Sequence, residues 1–266
     1  MKRSFTFTGL TENLAYFIGS FIGDGHVDKR QFEYCQVSID EEYLQIIRLY
    51  LQEFLGKLPT VKKIIDPKKY KKATYIFRFG SYDFCQWLLT ITDNKRKVPD
   101  IILHKKCPET KAFCEGFLDA EGWMSKSKSV VNPTTQTHAF RAGVCNNDLD
   151  VLDEVKNLLQ LQGVIISGSG SKPTKNGINY TYDLNLKSLV NGGITYRINR
   201  KANNLREYAR TVGERTHNKG RSRDDYHSLA IVGDKVSGNG NGMFNKTPWN
   251  KASSTTENSK VHKSGS

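Results

Sequence analysis

Apolar positions along this chain switch between two periods, and the switch happens in the same order twice. Leu14, Phe17, Ile18, Phe21 and Ile22 recur at helical spacing after Thr11, a good N-cap. Two strands are predicted next, at 26–31 and 32–39, with period-two alternation in Tyr34-Cys35-Gln36-Val37-Ser38-Ile39. That pattern predicts Cys35, Val37 and Ile39 inward, with Tyr34, Gln36 and Ser38 outward. In the preceding strand it predicts Val27 inward, with His26, Asp28 and Arg30 outward. A helix over 41–55 carries Tyr43, Leu44, Ile47, Tyr50, Leu51 and Phe54 and ends at Gly56 and Pro59. A second ribbon runs from Thr60 to Ile65 and from Thr74 to Phe79, and a helix from Tyr82 to Ile91 closes the half. After a connector at 92–108 the order repeats: a helix at 109–121, strands from Trp123 to Ser129 and from Gln136 to Cys145, and a helix at 148–161. Strands at 163–169 and 179–186 and a helix at 201–212 follow. Phe140, Ala142 and Val144 are expected inward here, as are Tyr180, Tyr182, Leu184 and Leu186.

The two halves share a motif. Phe17-Ile18-Gly19-Ser20-Phe21-Ile22-Gly23-Asp24-Gly25 aligns without gaps on Cys114-Glu115-Gly116-Phe117-Leu118-Asp119-Ala120-Glu121-Gly122, and Asp24 and Glu121 lie 97 residues apart. Gly25 and Gly122 stand where a left-handed glycine would end each helix. Gly19 and Gly23, then Ala112, Gly116 and Ala120, are small residues four apart on one face. Glycine costs roughly 1 kcal/mol inside a helix, so these faces predict two helices packed with their backbones almost touching. Asp24 and Glu121 would then meet at the same end of both helices. That is a poor place for acids, because a helix C-terminus carries partial negative charge and paired carboxylates repel. A divalent cation removes both penalties, and carboxylates with water and phosphate oxygens suit Mg²⁺.

On these residues the chain resembles the LAGLIDADG homing endonucleases in their single-chain, two-motif form, over roughly residues 10 to 212. The resemblance implies an α+β fold of two pseudo-symmetric αββαββα halves, packed through the motif helices and forming a saddle of antiparallel sheet. It implies that Asp24 and Glu121 are catalytic and bind the metal, Mg²⁺ with Mn²⁺ as a substitute; Gly23 and Ala120, just before them, are the further metal candidates. Lys126 is the candidate basic residue to assist. The first copy departs from the family pattern, with Ile22 in place of the earlier acid and Ser20 in place of an apolar residue. The halves are expected at 1–96 and 97–212, followed by a basic tail at 213–266.

Composition fits a polyanionic partner. Forty basic residues against 27 acidic ones give a net charge of +13. No apolar run approaches a membrane span, and no secretory signal follows the basic N-terminus, so an intracellular protein is expected. An intein origin is not expected, since the chain begins at Met1 and shows no splicing termini. Cys35, Cys85, Cys107, Cys114 and Cys145 are odd in number without Cys-x-x-Cys spacing, which predicts free thiols rather than a disulfide framework or a zinc site. Asn94-Lys95-Arg96-Lys97 reads as a solvated connector. Lys68, Lys69, Lys71 and Lys72 in one loop, and Lys172 and Lys175 in the equivalent one, suit phosphates. On the strands, His26, Asp28, Arg30, Tyr34, Gln36, Ser38, Arg78 and Arg141 are the candidate DNA-binding residues, since a two-stranded ribbon fits the major groove. Within the tail, Gly240 to Lys251 resembles the short DNA-binding repeats appended to phage-type homing nucleases.

The expectation is therefore a monomeric, intron-encoded, metal-dependent endonuclease cutting double-stranded DNA at a long asymmetric site. A non-catalytic DNA-binding protein on the same fold, or a maturase binding intron RNA, are the alternatives.

Overall fold

A computed structural model describes residues 5–56, 58–64, 74–103, 106–132, 135–175 and 177–217. The first half comprises α1 (Glu12–Asp24), β1 (His26–Asp28), β2 (Glu33–Ser38), α2 (Glu41–Leu55), β3 (Lys62–Ile64), β4 (Thr74–Gly80) and α3 (Tyr82–Ile91). The second comprises α4 (Pro108–Glu121), β5 (Gly122–Asn132), β6 (Thr135–Asn146), α5 (Leu149–Leu161), β7 (Ile166–Thr174), β8 (Gly177–Leu184), α6 (Leu186–Asn191) and α7 (Asn199–His217). Each half holds a four-stranded antiparallel sheet of the same topology, β1-β2-β4-β3 and β5-β6-β8-β7. The fold is α+β, with one apolar core running through both halves. No helix among the described residues is long and apolar enough to cross a membrane, and all five cysteines are free.

Several local features redraw the expected boundaries. Strand β1 stops at Asp28 because its carboxylate accepts from the backbone N–H groups of Arg30 and Gln31, which tightens the turn. The β7–β8 ribbon extends through the basic stretch, pairing Lys172 with Asn179. Asn185, whose side chain accepts from Ser188 N–H at 3.0 Å, caps the unexpected helix α6. Helix α7 continues to His217, past the expected start of the tail. Lys68, Lys69, Lys71, Lys72 and Gly240 to Lys251 lie outside the described residues.

Strand β2 is turned over relative to the alternation read from its sequence, while Val27 of β1 faces inward as expected. Tyr34 and Gln36 are buried against the helices, whereas Cys35 and Val37 are half-exposed on the outer face. Two partners explain this. The Tyr34 ring packs on Phe17, Phe21 and Phe77, and Ser20, the polar departure in the first motif, needs a hydrogen-bond partner once buried. Gln36 Nε2 donates to Ser20 Oγ at 2.9 Å and to Tyr43 Oη at 3.0 Å, while Tyr34 Oη donates to Gln36 Oε1. A buried polar cluster thus fixes the strand register that apolar alternation misassigns. In the second sheet Phe140, Ala142 and Val144 do face inward.

Helices α1 and α4 meet with backbone against backbone. A Cβ on Gly19 would fall 2.1 Å from the Phe113 carbonyl oxygen, one on Gly116 2.0 Å from the Tyr16 carbonyl oxygen, and one on Gly23 2.4 Å from the Ala120 Cβ. Gly25 and Gly122 are not left-handed, as the helix-ending role predicts, but extended at φ −69° and −84°. The chain passes straight from helix into strand, and their missing Cβ prevents collision with Phe21 Cα and the Leu118 carbonyl oxygen respectively.

The glycine seam makes a stability prediction. Gly116→Ala forces the helices apart and costs about 1–3 kcal/mol, read as a lower midpoint in urea unfolding. Gly80→Ala, where a Cβ meets nothing within 4 Å, leaves the midpoint near wild type. Equal midpoints for both variants would mean that the seam tolerates expansion.

Candidate active site

Asp24 and Glu121 are the last residues of α1 and α4. The glycine seam carries them to the same end, where a Cβ on Gly23 would lie 3.0 Å from Glu121 Cγ. Protein around Asp24 displaces enough water to push its pKa up to about 6, against the pull of Lys201 and Lys95. Burial, then repulsion from Asp24, pushes Glu121 up to about 7, opposed by Lys95 and Lys201.

Neither motif helix has a basic residue in its last turn, and a lysine from elsewhere fills that role in each half. Lys95 Nζ donates to the carbonyls of Gly23 at 2.8 Å and Gly25 at 2.9 Å. Lys201 Nζ donates to those of Leu118 at 3.0 Å and Asp119 at 2.7 Å. Burial lowers the pKa of both, and the nearby acids oppose the shift. The two lysines are mounted differently. Lys95 ends a run of three left-handed residues, Asp93, Asn94 and Lys95 at φ 43°, 57° and 74°, a conformation that costs an L-residue about 1–2 kcal/mol. Lys201 sits in the first turn of α7, where Asp119 accepts from Arg197 N–H at 2.7 Å and from Tyr16 Oη at 2.7 Å.

The seam end opens into two cavities. One, of about 420 Å³, includes Asp24, Ser38, Trp123, Arg200 and Lys201 in its lining. The other, of about 360 Å³, includes Glu121, Lys95, Cys145, Asn146, Asn147 and Asn179. Among the described residues no three His, Cys, Asp or Glu side chains gather into a metal cage. Two carboxylates whose charged forms are disfavoured by desolvation, each lining a cavity, fit Mg²⁺, which is held through one or two carboxylates with water and substrate phosphate as the remaining ligands.

Residues 11–97 match the family model of a LAGLIDADG-like domain. The second half repeats the sheet order of the first and carries the second copy of the motif helix. Solved structures similar to this chain include the homing endonuclease I-WcaI bound to its DNA recognition sequence, at 16% identity over 74% of this chain and 88% of that chain, TM-score 0.47. They also include I-DmoI in complex with DNA and Ca, at 18% identity over 68% and 86%, TM-score 0.44, and an I-SmaMI mutant, at 11% over 78% and 94%, TM-score 0.47.

The remaining candidates divide by position. His26 and Arg30 are exposed, and Arg78 is exposed while paired with Glu33 at 2.8 Å. Asp28 serves its turn, and Ser38 lines the Asp24 cavity while accepting from Asp40 N–H. Arg141, Lys172 and Lys175 are exposed on the second sheet and its ribbon tip. Tyr34 and Gln36 are core residues and leave the DNA-binding set. Lys126 leaves the catalytic set: β5 alternation turns it to the face of Phe140 and α7, where it pairs with Glu207 at 2.6 Å. The Gly23 carbonyl is occupied by the Lys95 ammonium, which repels a cation there. Lys95 and Lys201 are the basic residues that sequence reading missed. The available signal was the lack of any base in the last turn of either motif helix, but no spacing says which distant lysine supplies it.

Both acids favour folding when protonated, because their folded-state pKa values lie above the usual range. That contribution is complete below about pH 4 and is lost as pH rises through about 6 and 7. In chelator-treated protein, Asp24→Asn/Glu121→Gln unfolds at a higher temperature than wild type near pH 8, and the gap closes near pH 4. Adding Mg²⁺ near pH 8 raises the wild-type Tm by a few degrees, about 2–4 °C per kcal/mol, and leaves the double variant unmoved. Circular dichroism melts read both; a wild-type Tm indifferent to Mg²⁺ would remove the metal from this site.

Proposed function

We propose that this protein is a site-specific, divalent-metal-dependent endonuclease that hydrolyses both strands of duplex DNA, of the homing endonuclease type. The observation that carries the reading is the pairing of Asp24 and Glu121 at the tight end of the α1–α4 seam, each with a lysine beside it, buried Lys201 and half-buried Lys95, and each opening into its own cavity. Two cavities related by pseudo-symmetry match two antiparallel scissile strands. Mg²⁺, with Mn²⁺ as a substitute, would supply an activated water and charge stabilisation for in-line displacement at phosphorus. Asp24 and Glu121 would hold it. Lys95 and Lys201 oppose the upward shift of both acids' pKa values and would present ammonium charge to the scissile phosphates. Arg30, Arg78, Arg141, Lys172 and Lys175, exposed along the sheets, would hold the duplex through salt-sensitive contacts. Because the halves differ in sequence, the site read is asymmetric, and one chain suffices for both strands.

Cleavage of a randomised supercoiled plasmid library with Mg²⁺ tests the reading. Wild type is expected to yield linear product from a sparse subset of sequences. Glu121→Gln or Asp24→Asn reduces cleavage at least about a hundredfold, the loss typical of removing one charge-stabilising group, while duplex binding survives. Binding without any cleavage by wild type would point to a DNA-binding protein, and tighter binding of structured RNA than of duplex at matched salt would point to the maturase.

A further inference from the structure

The two cavities differ in one respect that the pseudo-symmetry does not require. Trp123 follows the closing glycine of the second motif, at the position that His26 occupies in the first. Its neighbour Met124 faces the core opposite Ala142, so strand alternation turns Trp123 and its partner Gly143 to the outer face. There the six-membered ring of the indole lies over Gly143. A Cβ at that position would fall 2.0 Å from Cζ2, 2.2 Å from Cη2 and 2.7 Å from Cε2. Glycine weakens a strand interior and commonly marks close approach to its backbone. Here it lets an aromatic ring lie down across the sheet.

The ring is half-buried and forms part of the wall of the Asp24 cavity, where Val37 and Ile39 add an apolar margin beside Arg200 and Lys201. Among the described residues the lining of the Glu121 cavity includes no aromatic side chain and presents the amides of Asn146, Asn147 and Asn179 instead. A flat apolar surface beside a phosphate-directed acid and lysine is suited to a base or sugar. Aromatic side chains stack on bases without regard to hydrogen-bond pattern, and apolar wedges at a base step exploit easily unstacked sequences.

We propose that Trp123, resting on Gly143, is a specificity-determining residue that packs against the DNA at the central step on the Asp24 side. The contact selects steps that unstack readily, pyrimidine–purine steps foremost, while the polar Glu121 side applies no such selection. The result is a one-sided sequence preference at the middle of the target. This inference rests on the nuclease reading.

The test uses the full chain and a randomised duplex library, with cleaved products sequenced. Two variants disturb the platform differently: Trp123→His installs the residue of the other half, and Gly143→Ala displaces the ring without removing it. Each is expected to flatten the base preference on one side of the midpoint at least about fivefold, the low end of a mismatch penalty, and to leave flanking preferences intact. An unchanged central profile in Trp123→His overturns the proposal, whatever Gly143→Ala does to folding. Tryptophan emission separates the two readings. In Ca²⁺, random-sequence duplex DNA quenches wild-type emission more than that of Trp123→His. Quenching without cleavage keeps the contact and sinks the nuclease; cleavage with equal quenching and equal profiles sinks the contact alone.

Discussion

Helices α1 and α4 touch through their main chains at Gly19 and Gly116, and Gly23 packs on the Ala120 side chain, leaving no room for a single added methyl group at any of the three. Packing this close has little freedom to slide or rotate. Every feature of the candidate site inherits that stiffness. Asp24 and Glu121 are neighbours because the seam is tight, burial at that end raises both pKa values with repulsion from Asp24 adding to the shift at Glu121, and each helix passes directly into the first strand of its sheet. The sheets are thereby positioned relative to the acids by a continuous rigid path.

Around this seam the two halves solve one electrostatic problem by different means. Each motif helix ends in an acid and lacks a base of its own, so each carries uncompensated negative charge where negative charge is least favourable. The first half answers with a strained left-handed turn that delivers Lys95. The second answers with Asp119, which anchors the chain entering α7 and so sets Lys201. Ile22 occupies the place of Asp119 in the first half, and with no acid to anchor a helix there, the chain takes a turn instead. Strain in sparsely populated backbone regions is common where geometry at a site is over-determined.

The motif helices, the order of elements apart from α6, the small-residue faces and the meeting of the two acids were legible in the sequence, because periodicity and glycine placement act locally. What was not legible depended on partners distant in the chain. Gln36 reads as a surface residue until Ser20 and Tyr43 are seen to need it. Lys126 reads as a residue near the centre until its strand register opposite Phe140 places it on the helix-covered face, where Glu207 of α7 holds it. Lys95 reads as part of a solvated connector, since nothing local announces that three left-handed residues will fold it back onto Gly23. In each case a buried or charged group found a partner across the fold, and that requirement overrode the local pattern.

The entrance to α7 also bridges the halves. Arg197 donates to Tyr50, Asn199 to Glu42, and Arg200 pairs with Asp40 at 3.0 Å. These groups leave the ribosome late, long after α1 and its acid. A nascent chain can complete its first αββαββα unit, and even dock α4, while the Asp24 side still lacks the ammonium of Lys201. Balanced charge at the seam therefore comes late in synthesis, and the segment that supplies it also fastens one half to the other.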